Sequence, residues 1–154
     1  MKKFLLGLLI PVAVVSVCSV SANAAKVYDG TPRAIRGYYR TKMHKTYFGH
    51  HKYYWNFRTL HITGNQISED YGAQTDQALV YRLAHSNLSK HDFVLAGRYV
   101  PMGGESPAYL AYMHKTKKTL KVDYFDESGS KVTGHATYYK FSGKTSKVRN
   151  YPYK

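Results

Sequence analysis

The chain has 154 residues, with 23 Lys and Arg against 9 Asp and Glu, a formal net charge of +14 and 16 tyrosines. This aromatic content excludes a disordered secreted tail, because such segments are poor in aromatic residues. The single cysteine, Cys18, excludes a disulfide framework within the chain, so a hydrophobic core must hold the fold.

Residues 1–24 have the pattern of an export signal peptide. A charged start precedes the apolar run Phe4 to Val17 and the small-residue site Ala22-Asn23-Ala24. We expect cleavage after Ala24, which leaves one β-barrel domain at 25–154 with a basic C-terminal tail and no transmembrane span. That domain has 21 basic and 9 acidic residues, a net charge of +12. Acylation of Cys18 after lipoprotein processing is the alternative. That processing requires a small residue before the cysteine, whereas Val17 precedes Cys18.

Period-two alternation of apolar and polar residues predicts eight short strands in the domain. In chain order they are Ile35 to Arg40, Arg58 to Thr63, Gln66 to Asp70, Leu79 to Leu83, Phe93 to Tyr99, Tyr109 to His114, Leu120 to Tyr124 and His135 to Phe141. Turn signals such as Gly64-Asn65 separate them. We therefore expect an all-β, antiparallel up-and-down barrel, with a β-sandwich as the alternative.

Closure of such a barrel pairs the first strand with the last and brings the two basic ends of the chain together. On the first strand we expect Arg36, Tyr38 and Arg40 to face outward, and on the last strand Tyr138 and Lys140. The result is a cationic seam that favours anionic polymers, although an ordinary solvated surface is the alternative. Its predicted polymer-binding residues are Arg33, Arg36, Tyr38, Arg40, Lys42, Lys45, Lys52, Tyr138, Lys140, Lys144, Lys147 and Arg149.

A second set of side chains is predicted to face the barrel interior. An eight-stranded barrel has an interior that side chains fill or that holds one small ligand. The predicted lining of such a cavity, which would hold a small apolar ligand, is Tyr39, Leu60, Ile62, Leu79, Tyr81, Tyr99 and Val122.

The sequence has no signature of a metal site or of catalysis. The four clustered histidines, His44, His50, His51 and His61, have no Cys, Asp or Glu among them, which favours a titratable loop over a metal site. No Gly-x-Ser-x-Gly elbow frames a serine, and the acids show no nuclease-like spacing. We predict neither a cofactor nor a metal, and a secreted enzyme or antimicrobial effector is the third hypothesis.

The segment Arg36-Gly37-Tyr38-Tyr39 resembles the Gly-x-Trp signature that opens the first strand of lipocalin-like proteins (calycins), with Tyr39 at the tryptophan position. The signal, the segment Thr31 to Gly37 and the basic, tyrosine-rich strands also resemble small uncharacterised secreted proteins of Gram-positive lactic-acid bacteria. The first likeness implies a barrel that can enclose a ligand. The second implies a cell envelope rich in teichoic acid and acidic polysaccharide.

Together these patterns indicate a secreted, non-enzymatic protein that stays at the cell wall by binding anionic cell-wall polymers. Arginine and lysine pair with phosphate, and tyrosine can stack on sugar rings. The carrier of a small apolar ligand is the second hypothesis. Nucleic acid would also satisfy the positive charge, so the class of polymer stays open.

Overall fold

The protein is an antiparallel β-structure in a computed structural model that describes residues 26–47, 49, 52–70, 77–100 and 106–144. A short 3-10 turn covers Arg33–Ile35. The strands are β1 (Val27–Asp29), β2 (Gly37–Arg40), β3 (His44–Tyr47), β4 (Tyr53–Asn56), β5 (Thr59–Ile62), β6 (Ile67–Asp70), β7 (Gln77–Asn87), β8 (Asp92–Tyr99), β9 (Ala108–Lys115), β10 (Thr119–Phe125) and β11 (Val132–Phe141).

Eight of these strands form a closed ring. The order is β2-β5-β6-β7-β8-β9-β10-β11, and β11 returns to β2 through the pairs Tyr139 with Arg40 and Phe141 with Tyr38. The barrel is therefore confirmed over the sandwich, and so is the predicted pairing of the first basic strand with the last. Closure leaves no unpaired edge in the ring, which protects the aromatic strands from edge-to-edge association.

The chain before the ring covers one end of the barrel. β1 pairs with the far half of β7, and the 3-10 turn places Ile35, which is fully buried, against the core. Two main-chain hydrogen bonds tie the connecting segment to the ring: Gly30 N donates to Leu83 O at 2.6 Å, and Thr31 N donates to Gly64 O at 2.9 Å. Gly30 has φ +74°, a conformation that glycine adopts without strain.

The β3–β4 hairpin, residues 44–47 and 53–56, was not predicted. It forms a separate two-stranded sheet inserted between β2 and β5. The N–H of Thr41 donates to the carbonyl of Arg58 at 2.9 Å, so the β2–β5 pairing continues beyond the ring into the hairpin. We call this end of the barrel the hairpin end.

Strand alternation supplies the core. On β10, Leu120 and Val122 are fully buried and Lys121 is exposed, while Asp123 and Tyr124 are half-buried. Inward residues of every ring strand join one cluster. Its largest fully buried members besides these two are Tyr109, Tyr138, Ile35, Leu60, Ile62, Ile67, Leu95 and Met113.

The prediction that Tyr138 faces outward is wrong. Tyr138 is 0% exposed and pairs with the buried Leu120, so the outer face of β11 carries its neighbour Tyr139 instead. Lys140 pairs with the buried Tyr39 and therefore belongs to the inward row, although the end of the strand leaves it exposed. Because side chains alternate strictly along a strand, a misplacement by one residue reverses every face.

Leu79 and Tyr81, predicted to line the interior, belong to the outer face. Val80 between them is fully buried, and Tyr81 pairs with the exposed Arg98. A β-bulge at Arg82, which has φ +51°, then shifts the alternation so that Leu83 also points inward. The bulge inserts one unpaired residue, which regular alternation cannot anticipate.

Several predictions fall outside the described residues. They concern the signal peptide, most of the basic C-terminal tail, Lys147, Arg149, His50 and His51. Within the ranges that the structure describes, no helix is long and apolar enough to cross a membrane.

Candidate anion-binding groove

An open groove lies where the base of the β3–β4 hairpin meets the outer face of β11. Its volume is about 500 Å³. One wall comes from the two chain segments that enter and leave the hairpin, and the other comes from β11 between His135 and Tyr139. The lining residues are Thr41, Lys42, His44, Asn56, Phe57, Arg58, His135, Ala136, Thr137 and Tyr139.

Reciprocal hydrogen bonds at the hairpin base fix the first wall. The N–H of Thr41 donates to the carbonyl of Arg58, and the N–H of Arg58 donates to the hydroxyl of Thr41, both at 2.9 Å. The next residue, Lys42, extends across the groove and places its Nζ 5.8 Å from the ring centroid of Tyr139 on the opposite wall. This contact is a cation–π interaction between the two walls.

The lining of the groove is cationic. None of its ten residues is acidic, and Lys42 and Arg58 carry positive charge beside the imidazoles of His44 and His135. Among the described residues, the acids nearest in the strand register are Asp123, opposite His135 on β10, and Asp70, which accepts a hydrogen bond from Thr59. Both lie outside the lining, so the groove is suited to bind phosphate, sulfate or carboxylate.

Arg40 strengthens the positive character of the same region. It pairs in register with Tyr139, and its Nη1 donates weakly to the carbonyl of Thr41 at 3.4 Å. Its Nε is buried and has no hydrogen-bond partner among the described residues. A buried N–H without an acceptor is costly, and because Arg40 does not line the groove, its contribution there is its charge.

The predicted seam does not form one continuous surface. Lys42 lines the groove and Arg40 lies beside it, but Arg33 and Arg36 lie at the opposite end of the barrel. The guanidinium of Arg36 is used structurally, since its Nη2 donates to the carbonyl of Thr31 at 2.7 Å. Lys45 lies on the hairpin face that points away from the groove. The exposed Lys52 and Lys144 flank β4 and β11.

Of the ten lining residues, only Lys42 was among the predicted binding residues. The high density of basic and aromatic residues between 40 and 58 was the available signal for the hairpin side, whereas His135 and Tyr139 join the groove only through closure of the barrel. Of the predicted histidine cluster, His44 enters the groove, while His61 stacks on the exposed Tyr38 with ring centroids 3.9 Å apart. No three His, Asp or Glu side chains within the described ranges converge as a metal site would require.

A second polar cluster lies around Asp92 at the end of the barrel away from the hairpin. Its carboxylate accepts hydrogen bonds from Ser89 at 2.5 Å, Tyr112 at 2.5 Å and His114 Nδ1 at 2.6 Å. These bonds hold the pKa of Asp92 well below its usual range. Burial, and then the bond to Asp92, raise the pKa of Tyr112 to about 12.

This cluster contains Ser, His and Asp but lacks the geometry of a catalytic triad. In a triad the hydroxyl is bonded to the imidazole, which removes its proton. Here both Ser89 and His114 are bonded to the carboxylate of Asp92 instead. The arrangement therefore ties the turn before β8 to β9 and does not activate the serine.

A third polar group lies inside the barrel. Glu69, which is 1% exposed, accepts a hydrogen bond from the hydroxyl of Tyr124 at 2.5 Å, and that hydroxyl lies 3.0 Å from the hydroxyl of Tyr138. Burial and the neighbouring Glu69 raise the pKa of Tyr124, so its phenol stays protonated and donates. The residues predicted to line an apolar cavity, such as Tyr39 and Val122, therefore share the interior with a buried carboxyl group.

The chain was compared with known proteins at the level of families, curated sequences and solved structures. No family model, no curated protein and no solved structure matches it. Its function must therefore be inferred from the groove and the surfaces around it.

Proposed function

We propose that the protein is an exported, non-enzymatic protein that binds anionic cell-wall polymers in the groove between the β3–β4 hairpin and β11. The observation that carries this proposal is the lining, which combines Lys42 and Arg58 with two histidines and includes no acid among the residues that the structure describes. The expected partners are teichoic acids and acidic polysaccharides. The expected place is the cell wall outside the cell, reached by cleavage of the predicted signal.

Binding would need no bond to be made or broken. The guanidinium of Arg58 can form two parallel hydrogen bonds with one phosphate or carboxylate, and the ammonium of Lys42 adds a point charge. Hydroxyl groups of Thr137 and Tyr139 lie on the opposite wall and can donate to the same anion. The net charge of +12 that remains after cleavage of the predicted signal attracts polyanions over longer distances and speeds their encounter.

The carrier hypothesis receives less support. The cavity described above lies outside the barrel, and the interior includes the carboxyl of Glu69 and the hydroxyl groups of Tyr124 and Tyr138. Polar groups of this kind are costly to cover with an apolar ligand, because their hydrogen bonds must be kept. The groove is therefore the better candidate site.

Charge reversal tests the groove. We expect Lys42→Glu/Arg58→Glu to weaken binding to purified cell walls and to poly(glycerol phosphate) by more than about tenfold, a free-energy loss of about 1.4 kcal/mol. The matched control is Lys90→Glu/Lys117→Glu. These exposed lysines lie in the β7–β8 and β9–β10 turns, at the end of the barrel away from the hairpin. Sedimentation with cell walls and calorimetry with the polymer measure the affinity.

The two double variants change the net charge equally. Equal loss of binding in both would show that total charge matters and that the groove is not a dedicated site. Raising the salt several-fold above about 0.15 M should release the wild-type protein from the walls, because screening shortens the reach of these charges. If the protein stays bound to the walls at high salt, the proposal is contradicted and an apolar or covalent attachment is indicated.

A further inference from the structure

The face of the β3–β4 hairpin that points away from the groove carries a cluster of aromatic rings around a lysine. In the hairpin register Lys45 pairs with Trp55 and Tyr47 pairs with Tyr53, so these four side chains share one face. The alternate pair, His44 and Asn56, belongs to the other face and lines the groove. We call the set Lys45, Tyr47, Tyr53 and Trp55 the aromatic platform.

The platform is open to solvent. Tyr47 is 65% exposed and Tyr53 is 45% exposed. The ring centroids of Tyr47 and Tyr53 are 5.8 Å apart, and those of Tyr53 and Trp55 are 6.1 Å apart. The Nζ of Lys45 lies 4.2 Å from the Tyr53 centroid and 5.6 Å from the Trp55 centroid. Three exposed rings beside a cation form an apolar patch, which is more typical of a binding site than of an ordinary protein surface.

We propose that this platform binds the sugar rings of an acidic polysaccharide, and the proposal rests on the function proposed for the groove. A sugar ring offers an apolar C–H face that can lie on tyrosine or tryptophan, and Lys45 can pair with a carboxylate or phosphate carried by the same sugar or its neighbour. The groove would hold another charged group of the same chain. The platform therefore narrows the polymer class from any polyanion to an acidic glycan.

The geometry favours a glycan over a single-stranded nucleic acid. Bases bind as flat plates stacked on successive ring faces. Here the rings of Tyr47 and Tyr53 are inclined by 55°, and those of Tyr53 and Trp55 by 87°, so neighbouring rings offer no parallel faces. A puckered sugar needs one ring face and a nearby cation, which Tyr53 and Trp55 supply together with Lys45.

The geometry also favours a linear polymer over a lipid surface. The groove and the platform lie on opposite faces of one two-stranded hairpin, so a planar membrane cannot contact both. A flexible chain can pass around the hairpin and occupy the two sites together. Once one site has bound the polymer, the rest of the same chain is held at a high effective concentration near the second site. The affinity should therefore rise steeply with polymer length.

The experiment compares two polyanions, one with sugar rings and one without. Hyaluronate is a linear polysaccharide with carboxylates, and poly(glycerol phosphate) carries charge but no ring. Trp55 is the only tryptophan in the chain, so its fluorescence reports directly on the platform. Tyr47→Ala/Tyr53→Ala should weaken hyaluronate binding by about tenfold or more and leave poly(glycerol phosphate) within about twofold of wild type.

Tyr28→Ala is the matched control. Tyr28 is 40% exposed on β1, and the Nζ of Lys26 lies 5.3 Å from its ring, so this variant removes a similar lysine–tyrosine pair elsewhere on the surface. It should bind both polymers as the wild type does. Circular dichroism confirms that each variant is folded, and the variants are compared only at temperatures below their unfolding transitions.

The outcomes separate this inference from the function proposed for the groove. Loss of binding to both polymers in the platform variant would overturn sugar recognition, as would unchanged binding to both. Platform-dependent binding that is stronger for polyuridylate or for anionic phosphatidylglycerol vesicles than for hyaluronate would overturn it in favour of bases or lipid. If the Lys42→Glu/Arg58→Glu variant keeps full affinity while the platform variant loses hyaluronate, the groove proposal fails and the platform stands.

Discussion

Removing a single hydroxyl group from the barrel interior tests how the buried carboxyl of Glu69 is stabilised. The hydroxyl of Tyr124 donates to Glu69 at 2.5 Å and lies 3.0 Å from the hydroxyl of Tyr138. Tyr124→Phe keeps the ring and removes both interactions. A neutral hydrogen bond contributes about 0.5–1.5 kcal/mol, and one to a charged group about 1.5–3 kcal/mol. With both interactions removed, we expect the free energy of unfolding to fall by about 1 to 4.5 kcal/mol.

Urea denaturation followed by circular dichroism measures this change, with the fluorescence of Trp55 as a second probe. Tyr139→Phe is the matched control, because Tyr139 lies on the outer face and the same substitution there should cost less than about 0.5 kcal/mol. Glu69→Gln, alone and combined with Tyr124→Phe, completes a double-mutant cycle. A cost below about 1 kcal/mol together with no coupling in the cycle would refute the role assigned to this hydrogen bond.

Two further predictions concern the fold. Hydrogen bonds hold the pKa of Asp92 below its unfolded value of about 3.9, so its contribution to stability is complete above that value and is lost as the pH falls below it. Asp92→Asn should thus be less stable than wild type near neutral pH, and its stability should fall less between about pH 4 and pH 2. Urea unfolding midpoints measured across this pH range test this, and parallel curves of midpoint against pH for the two proteins would contradict it. Gly30→Ala should cost about 2 kcal/mol or more, because φ is +74° and the new methyl group would overlap the carbonyl oxygen of Gly64. Gly49→Ala, at φ +65° with no neighbour within 4 Å among the described residues, should cost only about 1 kcal/mol in the same assay. Equal losses in the two variants would exclude the overlap as the cause.

The sequence by itself determined the fold class and the elements of the ring. Most of the ring strands carry apolar and polar residues in alternation, and Gly64-Asn65 marks a turn between two of them. Burial of Leu120 and Val122 with exposure of Lys121 follows from period-two alternation alone. Pairing of the first strand with the last also followed, because an antiparallel meander with no free edge can close in one way.

The alternation of residue types did not predict the buried face where either of two adjacent residues could fill the interior. Tyr138 and Tyr139 are both aromatic, so neither face of β11 stands out in the sequence, and the pairing of Tyr138 with Leu120 decides which one is buried. On β7 the bulge at Arg82 changes the facing of the residues on either side of it. Such local shifts depend on how the neighbouring strand packs, so the sequence of one strand does not determine them.

The groove was decided by tertiary structure alone. Lys42 and Arg58 lie at the two ends of the hairpin, and His135 and Tyr139 follow roughly eighty residues later on the last strand of the ring. The sequence showed that both ends of the chain are basic, which predicted an anionic partner. It did not show where on the surface these charges lie. Barrel closure brought these distant segments together, and the hydrogen bonds between Thr41 and Arg58 set the direction in which the hairpin leaves the ring.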